Sequence, residues 1–411
     1  MSDDTTTPDE SPTSSSTAQD DADKGGRRRG AVRKRATIIR VLGITTIVLA
    51  LVTGLTVVYF FRHFSGNITD LNIDDELTNR PDKVEVSGPK EPLNILVMGS
   101  DTREGEGNDI DNESGADASD TTILFHLSAD RSRAYGVSIP RDSMVDRPEC
   151  KNGAVPAADY VMWNDAYTVG GPSCTIQQFE QLTGVYLDHY IVVDFRGFKD
   201  MVNAIGGVEV CIPETIDDRK HGIYLEAGTR TIRDKEALSY VRQRYGVGDG
   251  SDIGRMKRQQ AFIASMASKV VSAGTLANPV KLVKFLDAAT KSLSVDDGLT
   301  DLAKIADLGL QFRDIGLDKI QFITIPWEWD PDDPNRVVWA PEADQVWKKL
   351  AHDEPLTRAL TVDAISAAKP RNSASPSGSS SSSGASSPSA DPSGTGSTES
   401  DEEAAKVGLC S

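Results

Sequence analysis

Arginine and aspartate recur together in four short clusters: GSDTR (99–103), SD (119–120), SIPRDS (138–143) and YVRQRYGVGDGSDIGRMKRQQ (240–260). In the first, Gly99 lets the backbone turn sharply after the apolar run LNILVM, so that Asp101 and Arg103 project from the turn. Asp120 heads the run TTILFHL. Two carboxylates at strand ends can share Mg2+, with water and substrate phosphates completing its shell. Arg141 and Asp142 follow a proline that ends a strand and fixes the direction of the turn. A guanidinium there offers a planar fork to a phosphate, a geometry lysine lacks. The fourth cluster is the richest. Arg242 and Arg244 are two residues apart, which in an extended segment puts both guanidiniums on one side. A helix then starts at Ser251 or Asp252; Arg255 and Gln259 share a face of it, with Arg258 close by, and its first N–H groups favour an anion.

Arginines with two or three aspartates suit phosphoryl transfer, where catalysis is mostly positioning and charge neutralisation. Each cluster has a plainer reading, because glycine and aspartate dominate ordinary turns and Arg–Asp pairs are common on surfaces. The fourth cluster tips the balance, since same-face spacing and an anion-friendly helix start converge there. The chain lacks G-x-x-x-x-G-K-[ST], G-x-S-x-G and H-E-x-x-H, which argues against P-loop, α/β-hydrolase and zincin chemistry.

The elements that must hold these residues are strands and helices in alternation. LNILVMG (93–99), HYIVVDF (189–195), VEVCIP (208–213) and KIQFITIP (319–326) read as strands, and TTILFHL (121–127) with AYGVSIP (134–140) as a hairpin across SADRSR. CTIQQFEQLTG (174–184) reads as a helix closed by Gly184, and FKDMVNAIGG (198–207) as another with a glycine cap. Ile253, Met256, Ile263, Met266 and Val270 recur at helical spacing. This interleaving predicts a layered α-β-α sandwich with a central mixed sheet.

Residues 41–61 form an uncharged apolar run long enough to cross a bilayer. Arg27, Arg28, Arg29, Arg33, Lys34, Arg35 and Arg40 precede it, whereas Arg62 and His63 follow. That asymmetry predicts a single-pass protein of the cell membrane, N-terminus cytoplasmic and the rest outside. The expected order is therefore a disordered basic tail (1–40), a membrane helix (41–61), a stalk (62–90), one catalytic domain (91–368) and a disordered Ser/Pro/Gly-rich tail (369–411). A formal net charge of −18 argues against a nucleic-acid partner. Four cysteines suit an oxidising exterior. Cys150 and Cys174 flank a loop and are expected to pair, zinc being the alternative; Cys211 is either buried and free or paired with Cys410.

The chain resembles the LytR-CpsA-Psr family of cell-wall glycopolymer ligases over residues 91–350. NILVMGSDTR, SDTTILFHL, VSIPRDS, HYIVVDFRGF, AIGGVEVCIPE, ALSYVRQR and DIGRMKRQQ stand in the family's order, and GGPSCT with PNRVVWAPEADQVW resembles its actinobacterial branch. The resemblance implies a phosphotransferase that moves a glycopolymer from a polyprenyl-pyrophosphate carrier to peptidoglycan, at the muramic acid 6-hydroxyl, releasing polyprenyl phosphate. Arabinogalactan, teichoic acid and capsule are all open as the polymer. It implies Mg2+ or Mn2+ on Asp101 and Asp120, an apolar tunnel for the lipid, and a pyrophosphate set of Arg141, Arg242, Arg244, Arg255 and Gln259, with Arg103 beside it. Asp252 or Asp142 would serve as general base. Ala118 stands where the family often has arginine. The alternative is a polyprenyl-pyrophosphate hydrolase or a lipid-phosphate-binding regulator of the envelope.

Overall fold

The computed structural model describes residues 24–100, 119–219, 223–243, 247–248, 250–271, 275, 278–370, 404 and 407–410. The chain divides into two compact units, residues 1–62 and 63–411. Helix α1 (Lys24–Ser65) contains a stretch, Thr37–Ser65, that is long and apolar enough to cross a membrane. Its threonines do not spoil that character. Thr45, Thr46, Thr53 and Thr56 return their hydroxyls to carbonyls one turn back, at 2.7–2.9 Å, so these four donors are satisfied within the helix.

The second unit is built on an eight-stranded sheet. Its strands are β1 (Thr69–Asp70), β2 (Leu93–Ser100), β3 (Ser119–Leu127), β4 (Ala134–Ile139), β5 (His189–Asp194), β6 (Leu293–Val295), β7 (Ile320–Thr324) and β8 (Ile365–Ser366). The order across the sheet is β1-β6-β5-β2-β3-β4-β7-β8. β2 pairs in parallel with β5, and β4 with β7, whereas β3 runs antiparallel to both its neighbours. The sheet is mixed because the hairpin read from the sequence lies at its centre, with Thr122 opposite Ile139 and Leu127 opposite Ala134.

Strand alternation sends successive side chains to opposite faces. Leu96, Met98, Leu124 and Val137 join Trp163, Phe179 and Trp347 beneath α2 (Asp165–Thr183) and a helix over Ala343–Ala351. Ile95 and Phe322 join Ala261, Ala264 and Ile315 on the other face. A smaller core gathers Val202, Ile205, Val208, Leu238, Val241 and Phe262 under α3 (Phe195–Ala204), α4 (Asp234–Arg242) and α5 (Asp252–Val271). The layered α-β-α reading holds. α2 ends where expected, with Gly184 at φ 68° as its cap. It begins earlier than the sequence suggested, passing a break at Gly171 and Pro172.

Two segments at the edges pack more closely than their compositions suggest. In the segment expected to be a stalk, Thr69–Asp70 pairs with β6, and Arg80 holds the buried Glu180. Near the far end of the Ser-rich tail, Ala404 and Leu409 are buried against the sheet-face core, and Cys410 is bonded to Cys211. Cys150 pairs with Cys174 as expected.

Candidate functional site

β2, β4 and β5 run in the same direction, so their carboxyl ends meet at one edge of the sheet, where β3 begins. A crevice at such an edge is the usual ligand position in open α/β sheets. Three motifs come together there by backbone pairing alone. Ser100 pairs with Ser119 and with Asp194, and the residues after Ser100 and Ser119 are Asp101 and Asp120.

The turn after β4 is clamped on both sides. Ser143 N donates to Pro140 O at 3.1 Å, Asn164 N to Arg141 O at 3.3 Å, Trp163 N to Ser143 O at 2.7 Å and Val337 N to Asp142 O at 3.3 Å. Arg141 and Asp142 therefore leave a fixed backbone rather than a loose loop. α5 approaches the same edge with its N-terminus. Ser251 Oγ accepts from Gly254 N at 3.0 Å, a cap that bears out the helix start read from the sequence. Gln260, fully buried, ties α5 to the ends of β4 and β7 by donating to Ser138 Oγ, Ile323 O and Thr324 Oγ1 at 2.8–3.1 Å.

The charges interlock. Arg255 Nη2 lies 2.5 Å from Asp252 Oδ1, and Arg141 Nε lies 3.6 Å from that oxygen and 3.7 Å from Asp142 Oδ1. Arg336, which sequence reasoning missed, approaches Asp142 Oδ1 at 3.4 Å from an antiparallel hairpin, Trp327–Trp329 against Val337–Trp339. Burial, and then the charge of Asp252, push the Asp142 carboxyl above its ordinary value against the pull of Arg141, Arg336 and Arg255. Beside these groups opens a cleft of about 370 Å3 lined by Asp142, Ser251, Asp252, Trp329, Asn335 and Arg336 among others. The signal for this wall was available: two short aromatic and β-branched runs, WEW and VVW, flank the turn-rich DPDDPNR.

The other expected site residues fall as follows. Arg242 is the last residue of α4, not part of an extended segment, because Ala237, Leu238, Tyr240 and Val241 bury a helical face. Its guanidinium lies 4.7 Å over the Phe195 ring, at the junction of β5 and α3. Gln259 reaches the site edge, but its amide is engaged within the protein: Oε1 accepts from Thr121 Oγ1 at 3.2 Å and Nε2 donates to Val241 O at 3.0 Å. Arg258 points elsewhere, donating to Gln243 O and, at 3.1 Å, to Val407 O. Asp101, Arg103, Ala118 and Arg244 lie outside the described residues, and Asp120 is described in its backbone alone. Among the described residues no group of three or more His, Cys, Asp or Glu could hold a metal ion.

A model of the LytR_cpsA_psr family matches residues 58–352. Cell wall biosynthesis protein LcpA of Corynebacterium glutamicum is 33% identical over 261 residues, which are 56% of this chain and 49% of LcpA. The match therefore spans about half of that relative's length. The polyisoprenyl-teichoic acid–peptidoglycan teichoic acid transferase TagU of Enterococcus faecalis is 31% identical over 60% of this chain and 76% of its own. The crystal structure of TagV from Bacillus subtilis superposes with a TM-score of 0.50 at 25% identity, covering 65% of this chain and 99% of that one.

Proposed function

Because this chain belongs to the LytR_cpsA_psr family, we propose that it transfers a glycopolymer from a polyprenyl-pyrophosphate carrier to peptidoglycan. The observation that carries the reading is the interlocked set Arg141, Asp142, Asp252 and Arg255 at the carboxyl edge of the sheet, beside the N-terminus of α5. TagU, a relative at 31% identity, is named for the transfer of teichoic acid from a polyisoprenyl carrier to peptidoglycan. An apolar place for the lipid is supported by partly buried side chains. Val97, Phe125, Ile191, Ile263 and Phe312 are only partly buried between the sheet and its helices, although Val97 and Phe125 sit on central strands. The carrier is membrane-bound, in keeping with α1 as a single-pass anchor, its arginine-rich start on the cytoplasmic side.

The reaction needs no external energy source, since the pyrophosphate is already activated. An acceptor hydroxyl attacks the phosphorus that bears the glycopolymer, and a new O–P bond forms. The bond from that phosphorus to the bridging oxygen breaks, its electron pair leaving with polyprenyl phosphate, and the product is a phosphodiester. Arg141, Arg255, Arg242 and Arg244 neutralise the charge that develops on the transferred and leaving groups. Of the two candidate bases, Asp142 fits better. Asp252 accepts a short charge-assisted bond from Arg255, whereas the carboxyl of Asp142 is raised by burial and by the charge of Asp252, which makes it a stronger proton acceptor than an ordinary aspartate. Asp101 and Asp120 would hold Mg2+ or Mn2+ through hard carboxylate oxygens, and the ion would supply Lewis-acid charge neutralisation.

The test uses the full chain in detergent with a polyprenyl-pyrophosphate oligosaccharide, Mg2+ and a peptidoglycan acceptor. Polyprenyl phosphate released together with an acceptor-linked phosphodiester is expected. Release without the link would make the protein a hydrolase. No turnover, or wild-type turnover from Arg141→Ala, would sink the reading.

A further inference from the structure

The cleft beside Asp142 is poorly suited to the pyrophosphate itself. Among the described residues lining it, two carboxylates, Asp142 and Asp252, face one guanidinium, Arg336. Arg141 and Arg255, which balance these carboxylates, are not among the lining residues, so the cleft offers an anion a single guanidinium, whereas a neutral polyhydroxyl ligand would meet both acceptors and donors. Its volume, about 370 Å3, lies at the small end of ligand sites.

One wall is aromatic. Trp329 is 54% exposed, unusual for so large an apolar side chain. It is also firmly presented. Trp329 pairs with Val337 across the hairpin, and Val337 bridges to Ser143, the residue after Asp142. The turn is closed by Asp330 N donating to Arg336 O at 3.1 Å, and Asp330, itself buried, accepts from Tyr160 OH at 2.7 Å. Trp327 buttresses the indole edge-on, with ring centroids 5.1 Å apart. An indole face held rigid beside carboxylates, an amide and a guanidinium is the combination that recognises a sugar ring: the apolar C–H face stacks on the indole, and equatorial hydroxyls bond the polar groups.

We propose that this cleft is the acceptor subsite, where Trp329 stacks on a sugar ring of the peptidoglycan glycan and Asn335, Arg336 and Asp142 bind its hydroxyls. This rests on the transfer reaction proposed above and adds where the nucleophile comes from. The attacking hydroxyl enters from the Trp329 side, passing its proton to Asp142, while the donor phosphates lie on the Arg141 and Arg255 side.

The probe is a soluble GlcNAc–MurNAc tetrasaccharide, titrated calorimetrically into the full chain in detergent. Trp329→Leu, which keeps apolar bulk but loses the ring, is expected to weaken binding about tenfold or more and to raise the acceptor KM similarly, with the donor KM unmoved. Trp329→Phe, which keeps a stacking face, stays within about threefold of wild type. Unchanged affinity in Trp329→Leu overturns the proposal, as does a wild type that does not bind the tetrasaccharide. A change confined to the donor KM also overturns it and gives the cleft to the donor's sugars. Polyprenyl phosphate release that requires the peptidoglycan acceptor, measured with wild type, reports separately on the transfer reading. Its absence would defeat that reading while the tetrasaccharide titration still decides the subsite.

Discussion

Arg255 donates to Asp252 across one turn of α5, Nη2 to Oδ1 at 2.5 Å, with Arg255 almost wholly buried. A pair so enclosed is costly to break from one side, because the carboxylate left behind has been taken out of water. Arg255→Met is expected to cost roughly 3 kcal/mol of stability, read from urea unfolding. It should also lower kcat by about 10²–10³-fold, the usual loss when a donor to developing charge is removed. Arg255→Lys, which keeps the charge without the fork, should fall between. Wild-type kcat in Arg255→Met would show that the arginine is structural only.

Asp142 makes the pH dependence specific. It is faced by Arg141 on its own turn, by Asp252 and Arg255 on α5, and by Arg336 on the hairpin, and its carboxyl is raised, first by burial and then by Asp252. As the base it must be ionised, so kcat/KM should fall with falling pH along a limb lying above the ordinary carboxylate value of about 4. In Asp142→Asn that limb should disappear together with most of the activity. Stability carries the opposite sign. A raised folded pKa means the folded state binds more protons between the unfolded and folded values. The cost of ionisation is therefore absent below the unfolded pKa and fully present above the folded one. Asp142→Asn should gain stability at neutral pH and lose that gain near pH 3. A destabilised Asp142→Asn at pH 7 would contradict the raised carboxyl.

Glu180 is buried and bound by Arg80 Nη2 at 2.7 Å and Nε at 2.9 Å, and by Leu187 N at 2.9 Å. The same Arg80 Nη2 donates to Leu187 O at 2.7 Å. Removing the cation leaves a buried carboxylate, so Arg80→Ala should cost about 3 kcal/mol or more. Replacing both partners, as Arg80→Met with Glu180→Leu, should restore much of that loss. Guanidinium-induced unfolding of the two variants checks it.

Gly408 adopts φ +73°, and a Cβ there would stand 2.5 Å from Val247 Cγ1 and 3.1 Å from Arg258 Nη1. Gly408→Ala is therefore strained in both backbone and space, and should cost about 1–2 kcal/mol by thermal unfolding. Cys410→Ser should cost about 2–4 kcal/mol, since the Cys211–Cys410 bond closes a loop across 199 positions. An unchanged melting temperature in both variants would show that the docked segment contributes nothing.

The central strands and the start of α5 were legible because long apolar runs and a serine cap are local signals. The convergence of Arg141, Asp142 and Asp252 was legible only as a set of motifs, because their meeting depends on strand order. The two-residue spacing of Arg242 and Arg244 suggests an extended segment, whereas the buried face of ALSYV makes Arg242 the end of a helix. Gln259 looked like a ligand residue from spacing on one helix. What engages its amide comes from other elements, β3 at 138 positions away and α4 at 18. The docking of residues 69–80, of 404 and of 407–410 depends on two or three buried side chains and one distant cysteine, and composition averages such signals away.

The position of Cys410 sets an order of events. Cys150 can meet Cys174 as soon as that short loop exists, but Cys211 has no native partner until the chain has grown by 199 more residues. At roughly 5–20 residues per second, that is an interval of about 10–40 s. Throughout it the Cys211 thiol is available to the wrong sulfur, Cys150 or Cys174 included. Closing the Cys150–Cys174 loop first would leave Cys211 no free thiol among these two to pair with, only a disulfide to exchange with.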